Sequence, residues 1–229
     1  MSSASGWLQL SRVSNTPTVV SNSVAGAVLA STAAEPGEVA VVAGAMALFY
    51  TAGMILNDLL DYEVDLRERP ERPLPSGAVS RPAALTAVIG LFAAGEALLL
   101  LVGTEPFLAG LGLIALIVLY DAWHKGNPLS PVLMGACRAL VYFVAALAVV
   151  GEVPTDVAVA ASVLLLYVAS LTLVAKLVRS GRIVAAMIAG IAVFDAVVVI
   201  IAGGSPAAVA VCLAAFLLTI ALQTKIAGT

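Results

Sequence analysis

Apolar runs of about 17–25 residues recur along this chain, and they constrain its fold more than any other feature. Eight are legible, at roughly residues 12–32, 39–61, 82–102, 106–121, 130–150, 157–177, 183–203 and 206–226. The first is interrupted by Ser21, Asn22 and Ser23, and the fourth is short. All but the fourth are long enough to cross a hydrocarbon core of about 30 Å as a helix. Inside that core every backbone N–H and C=O must find its partner within the protein, which a helix achieves along its own length. The chain has 229 residues, 62% of them hydrophobic and 11% charged. The expected fold is therefore all-α, a polytopic transmembrane helical bundle of about eight membrane helices. No repeat, low-complexity tract or linker divides it, so a single domain over residues 1–229 is expected. The N-terminus lacks a basic segment before a short apolar core, and no cleavable signal peptide is expected. Cys137 and Cys212 lie in apolar segments and read as small buried hydrophobes.

Charge placement orients these runs. One set of connections holds Glu35 and Glu38, then Glu105, then Glu152 and Asp156, and no Lys or Arg. The other side collects Arg12, Arg67, Arg69, Arg72, Arg81, Lys125, Lys176, Arg179, Arg182 and Lys225, ten of the eleven basic residues. Arg138 falls within a run. By the positive-inside rule this gives an integral, multi-pass membrane protein with both termini cytoplasmic.

The stretch from Asn57 to Asp65, NDLLDYEVD, then stands out. Acids near a bilayer are costly and need a reason. Asn57, Asp61 and Asp65 are four apart, which on a helix makes one stripe of oxygen ligands. Hard oxygen donors suit Mg²⁺, which binds through a few carboxylates plus substrate phosphates. Arg67, Arg69 and Arg72 follow at once, and guanidinium groups match phosphate oxygens. Carboxylates for a cation beside arginines for phosphate describe a diphosphate site. The plainer reading is a solvated loop whose acids pair with its arginines.

NDLLDYEVD followed by Arg72–Gly77, RPLPSG, resembles the first aspartate-rich motif of the UbiA superfamily of intramembrane prenyltransferases. Arg12 and Asn15 before Thr16-Pro17-Thr18 resemble that family's first helix more loosely. Tyr120 to Pro128, YDAWHKGNP, resembles its Tyr/Lys-bearing cytoplasmic loop. With Met134 to Arg138, the wording is most similar to the EboC-type branch. The resemblance implies Mg²⁺-dependent transfer of an isoprenoid from a prenyl diphosphate to a small aromatic or lipophilic acceptor, in contact with membrane lipids. It assigns catalysis to Asp61, Asp65 and Lys125. Metal binding falls to Asn57, Asp58, Asp61 and Asp65. Diphosphate binding falls to Asn57, Asp58, Arg67, Arg72, Arg138 and Lys176. No nucleic-acid partner is expected.

The chain departs from that pattern in two respects. The family carries a second acidic motif near the end of its sixth span, and here Tyr167–Arg179 holds no Asp or Glu. The family also usually has nine spans against eight here, as if a helix were missing at the C-terminal end. Three outcomes stand open: Lys176, Arg179 and Arg182 replace the second metal; Asp121 or Asp195 completes the site; or a prenyl diphosphate is bound without efficient transfer. Among other polar residues, Arg138 reads as a phosphate or acceptor contact or as a snorkelling side chain. His124 reads as a general base or a plain interfacial residue, and Trp123 as a belt anchor. Glu96 and Asp195 lie inside runs, and in a different class of protein they would be the coupling acids of a transporter. Asn22 has no assigned role.

Overall fold

The structure, a computed structural model, describes residues 3–178 and 180–225. Ten α-helices and one 3-10 turn make up the described residues. They are α1 (Ser3–Leu10), the 3-10 turn Val13–Asn15, α2 (Thr16–Ala30), α3 (Pro36–Leu60), α4 (Tyr62–Glu68), α5 (Arg81–Val102) and α6 (Thr104–Trp123). There follow α7 (Ser130–Val150), α8 (Thr155–Leu177), α9 (Gly181–Ile201) and α10 (Pro206–Gln223). Local chemistry sets several boundaries. Ser80 and Ser205 accept hydrogen bonds from the N–H groups of Ala83 and Ala208 and cap α5 and α10. Pro17, Pro82, Pro131 and Pro206 stand at helix starts, where a missing N–H costs nothing.

Seven helices are long and apolar enough to cross a membrane: α3 and α5 to α10. The eighth expected span is α2, which has only 15 residues because the 3-10 turn takes up the beginning of its run. The outer face of the bundle is hydrocarbon-like, with Ile201 79% and Leu101 76% exposed. Such a surface is stable against lipid rather than water.

The buried side chains form two main cores. One joins α2, α7, α8, α9 and α10 through residues such as Val24, Tyr142, Leu164 and Val199. The other joins α2, α3, α5, α6 and α7 through Val19, Met46, Phe49, Leu99 and Val144. Helices α2 and α7 belong to both and form the spine of the bundle. Their backbones touch at Gly26, where a Cβ would stand 2.8 Å from Tyr142 Cα. Small residues permit this approach, which drives helix association where lipid removes the hydrophobic incentive. With α2 included, the helices return the chain to the side on which α2 begins, and the end of α10 lies beside the start of α2. Gln223 Nε2 on α10 donates to Asn15 Oδ1 at 3.2 Å. Gly26→Ala pushes the spine apart, and thermal unfolding in detergent should show a loss of about 1–3 kcal/mol.

Candidate active site

Asn57 and Asp58 occupy the last turn of α3, and Asp61 is the junction with α4. The Asp61 N–H bonds the Asn57 carbonyl at 2.9 Å, and the Asp65 N–H bonds the Asp61 carbonyl at 2.9 Å. The backbone thus carries helical spacing through the junction and keeps Asn57, Asp61 and Asp65 on one stripe. Asn57, Asp58 and Asp65 are buried.

Cations converge on these acids from three directions. Arg72 lies 2.7 Å from Asp65 Oδ2 and 3.5 Å from Asp58 Oδ1. It reaches them because the segment after it folds back: Ser76 N–H bonds the Arg72 carbonyl, Gly77 turns with φ 74°, and Leu74 and Val79 bury against Leu10, Ile55 and Ala84. Arg12 arrives from the chain before α2, with Nη2 3.1 Å from Asp58 Oδ1. Its backbone is left-handed, φ 42° and ψ 46°. That conformation costs a residue with a side chain about 1–3 kcal/mol and recurs at functional sites. Lys125, past the end of α6, lies 2.7 Å from Asp61 Oδ1. The His124 Nδ1–H donates to the Asp121 carbonyl at 3.0 Å, and its ring stacks on Tyr120. Its Nε2 stands 3.8 Å from Asp61.

Helices α3 and α6 meet as a two-rung ladder. Asn57 Nδ2 donates to Asp121 Oδ1 at 3.1 Å, and one turn further Lys125 meets Asp61. Asp121 is 4% exposed, and its Oδ2 has no hydrogen-bond partner among the described residues.

Behind the acids lies a cavity of about 310 Å³. Arg12 and Asp121 line the end nearest the acids, and Phe49, Met134, Val141 and Ile188 line its apolar body. Arg138 forms part of its wall. Its Nη1 donates to Asn22 Oδ1 at 3.0 Å, and the guanidinium lies 5.6 Å from the Tyr50 ring centroid. Asn22 in turn donates through Nδ2 to Asp195 at 2.9 Å. Tyr142 donates to Asp195 Oδ1 at 2.7 Å, and Ser21 Oγ also donates to this carboxylate. Asp195, with no exposed surface, is therefore fully solvated by protein.

The remaining expected site residues stand elsewhere. Arg67 is exposed on α4 and has no ion pair among the described residues. Lys176 is exposed at the end of α8, beyond the lining residue Ala175, and its ammonium donates to Ser130 Oγ at 2.6 Å. Arg182 is exposed, and Arg179 lies outside the described residues. Glu96 packs between α5 and α6 beside Gly110, on the other side of the spine from Asp195. Sequence reasoning missed Tyr50, Tyr142 and the part played by Ser21 and Asn22. The signal for these was present: a Ser-Asn-Ser triplet in an apolar run needs polar partners from other runs, and Asp195 and Arg138 are such partners.

Among the described residues no three His, Cys, Asp or Glu side chains lie close enough to hold a metal by themselves. The donors present are hard oxygens at the mouth of a cavity, with one buried carboxylate oxygen unpartnered. That set fits a Mg²⁺ that takes one or two carboxylates and completes its shell with phosphate oxygens and water.

A profile of the UbiA prenyltransferase family matches residues 19–227, and the chain belongs to this family. Digeranylgeranylglyceryl phosphate synthase from Methanoregula boonei is 45% identical over 83 residues, 35% of this chain and 29% of that protein. The matched part thus spans under a third of that relative's length. A UbiA homolog from Aeropyrum pernix K1 superposes with a TM-score of 0.65 at 20% identity, covering 91% of this chain and 87% of that one. A UbiA homolog from Archaeoglobus fulgidus, bound to GPP and Mg²⁺, superposes with a TM-score of 0.62 at 16% identity, covering 96% and 86%. At these identities the structural likeness is one of fold.

Asp195→Ala would strand the Arg138–Asn22 pair in the bundle. It should lower stability by about 3 kcal/mol, read as a fall in melting temperature in detergent, whereas Glu152→Ala on an exposed connection should leave it unchanged.

Proposed function

We propose that this protein is an intramembrane prenyltransferase of one domain, transferring an isoprenoid from a prenyl diphosphate to a small aromatic or lipophilic acceptor. The observation that carries this reading is the meeting of Asp58, Asp61 and Asp65 with Arg12, Arg72 and Lys125 at the mouth of an apolar cavity. The basic residues at this end of the bundle support a cytoplasmic site with both termini on the same side. The GPP and Mg²⁺ in the Archaeoglobus fulgidus homolog support the donor and the cation.

Asn57, Asp58, Asp61 and Asp65 would hold Mg²⁺. When bound, the ion neutralises negative charge developing on the departing diphosphate. Arg12, Arg72 and Lys125 now neutralise the acids and stand ready to bind diphosphate oxygens, as fixed cations that need little reorganisation. Asp61 and Asp65 orient Lys125 and Arg72 for that role. Arg67 and Lys176, both exposed, are left for the approach of the diphosphate rather than for its seat. The carbon–oxygen bond to diphosphate breaks, the allylic carbocation is captured by the acceptor, and the acceptor loses a proton. Phe49, Met134, Val141 and Ile188 keep water from the cation. Arg138, deeper in the wall and held by Asn22, would face a polar group of the acceptor.

A transporter using Glu96 and Asp195 is the weaker reading. Asp195 is spent on four hydrogen bonds, and Glu96 sits at a separate interface. Purified protein with Mg²⁺ and a panel of prenyl diphosphates and acceptors, aromatic and glyceryl phosphate alike, should release diphosphate. Asp61→Ala should cut release by about 100-fold or more, and Glu96→Ala should retain it. Flux across liposomes that survives Asp61→Ala and fails with Glu96→Ala would establish transport instead.

A further inference from the structure

Among the described residues, Asp121 is the one acid at this site that no cation meets in an ion pair. It is only 4% exposed, it lines the cavity, and its Oδ2 has no partner among the described residues. An ionised carboxylate left in that state costs several kcal/mol. The nearby cations are already committed. Arg12 holds Asp58, Arg72 holds Asp58 and Asp65, and Lys125 holds Asp61. Arg138 is tied to Asn22 and Tyr50. Lys176, in the last turn of α8, is occupied with Ser130.

The ladder between α3 and α6 sharpens the point. Asn57 gives its Nδ2 to Asp121 Oδ1, which fixes the carboxylate and leaves Oδ2 without a partner among the described residues. Asp121 Oδ2 is then a hard oxygen held in place by one hydrogen bond, one rung from the point where Lys125 meets Asp61. An unpaired carboxylate there would repel a diphosphate. A divalent cation between them would turn that repulsion into a bridge, and Mg²⁺ readily completes its shell with phosphate oxygens and water.

We propose that Asp121 is the ligand, from α6, of a second divalent cation shared with the diphosphate, separate from the one served by Asp58, Asp61 and Asp65. This rests on the diphosphate reading above. It makes α6 the source of an acid at the end of the bundle where the last turn of α8 presents Lys176.

Binding rather than turnover tests it. The full chain, purified in detergent, is titrated with Mn²⁺ by electron paramagnetic resonance in the presence of a prenyl thiolodiphosphate that does not react. Wild type should bind two Mn²⁺ ions. Asp121→Asn should bind one, with affinity for the thiolodiphosphate reduced about 10- to 100-fold. The amide keeps an oxygen for Asn57, so a purely positioning role would leave the count at two. Asp121→Ser serves if the melting temperature shows that the amide variant has not folded. Two ions in the folded variant, or one in the wild type, would overturn the assignment while leaving the diphosphate site standing. A wild type that binds neither Mn²⁺ nor the thiolodiphosphate would overturn the function itself, and this inference with it.

Discussion

Removing a carboxylate from water costs several kcal/mol unless protein groups replace the lost hydration. This constraint shapes the bundle at two depths. In the interior, Asp195 is met by Ser21, Asn22 and Tyr142, so its negative charge is carried by neutral donors and reaches Arg138 only through an amide. At the end of α3, Asp58, Asp61 and Asp65 are met directly by Arg12, Arg72 and Lys125. The first arrangement is closed and holds helices together. The second lies at a cavity mouth, where the same cations can exchange carboxylate oxygens for phosphate oxygens.

The spine explains how both arrangements share one scaffold. Gly26 lets α2 seat on the backbone of α7, and that contact carries Ser21 and Asn22 toward Asp195. The same helix α2 is preceded by Arg12 in its left-handed turn, so the packing that closes the interior network also aims a guanidinium at Asp58. A loss of the spine therefore reaches the acids, although none of them lies on it.

Much of the fold was legible because lipid leaves few choices: apolar runs of spanning length became α3 and α5 to α10. The first run was harder to bound, since its start is a 3-10 turn at Val13–Asn15 beside Arg12, whose partner Asp58 lies 46 residues away in the chain. The acidic stripe was legible because its order is local, set by four-residue spacing. The partners of that stripe were only partly so. Arg72 follows within a few residues and reads as a neighbour. Arg67 follows as closely yet is exposed, because the loop folds back only beyond it. Asp121 and Lys125 come from a different helix, and only their own four-residue spacing hinted that they would match Asn57 and Asp61 rung for rung. Lys176 read as a phosphate contact from its place near the end of α8, while its ammonium turns to Ser130 at the start of α7.

Either the acids bind diphosphate through a divalent cation, as proposed, or the arginines bind it alone. Equilibrium binding of a prenyl thiolodiphosphate to the full chain, with Mg²⁺ and then with excess EDTA, separates the two. A drop in affinity of about 100-fold or more on chelation, about 2.7 kcal/mol, is the predicted result. Binding that is unchanged in EDTA would contradict it, and would leave Asp58, Asp61 and Asp65 as nothing more than counter-charges for Arg12, Arg72 and Lys125.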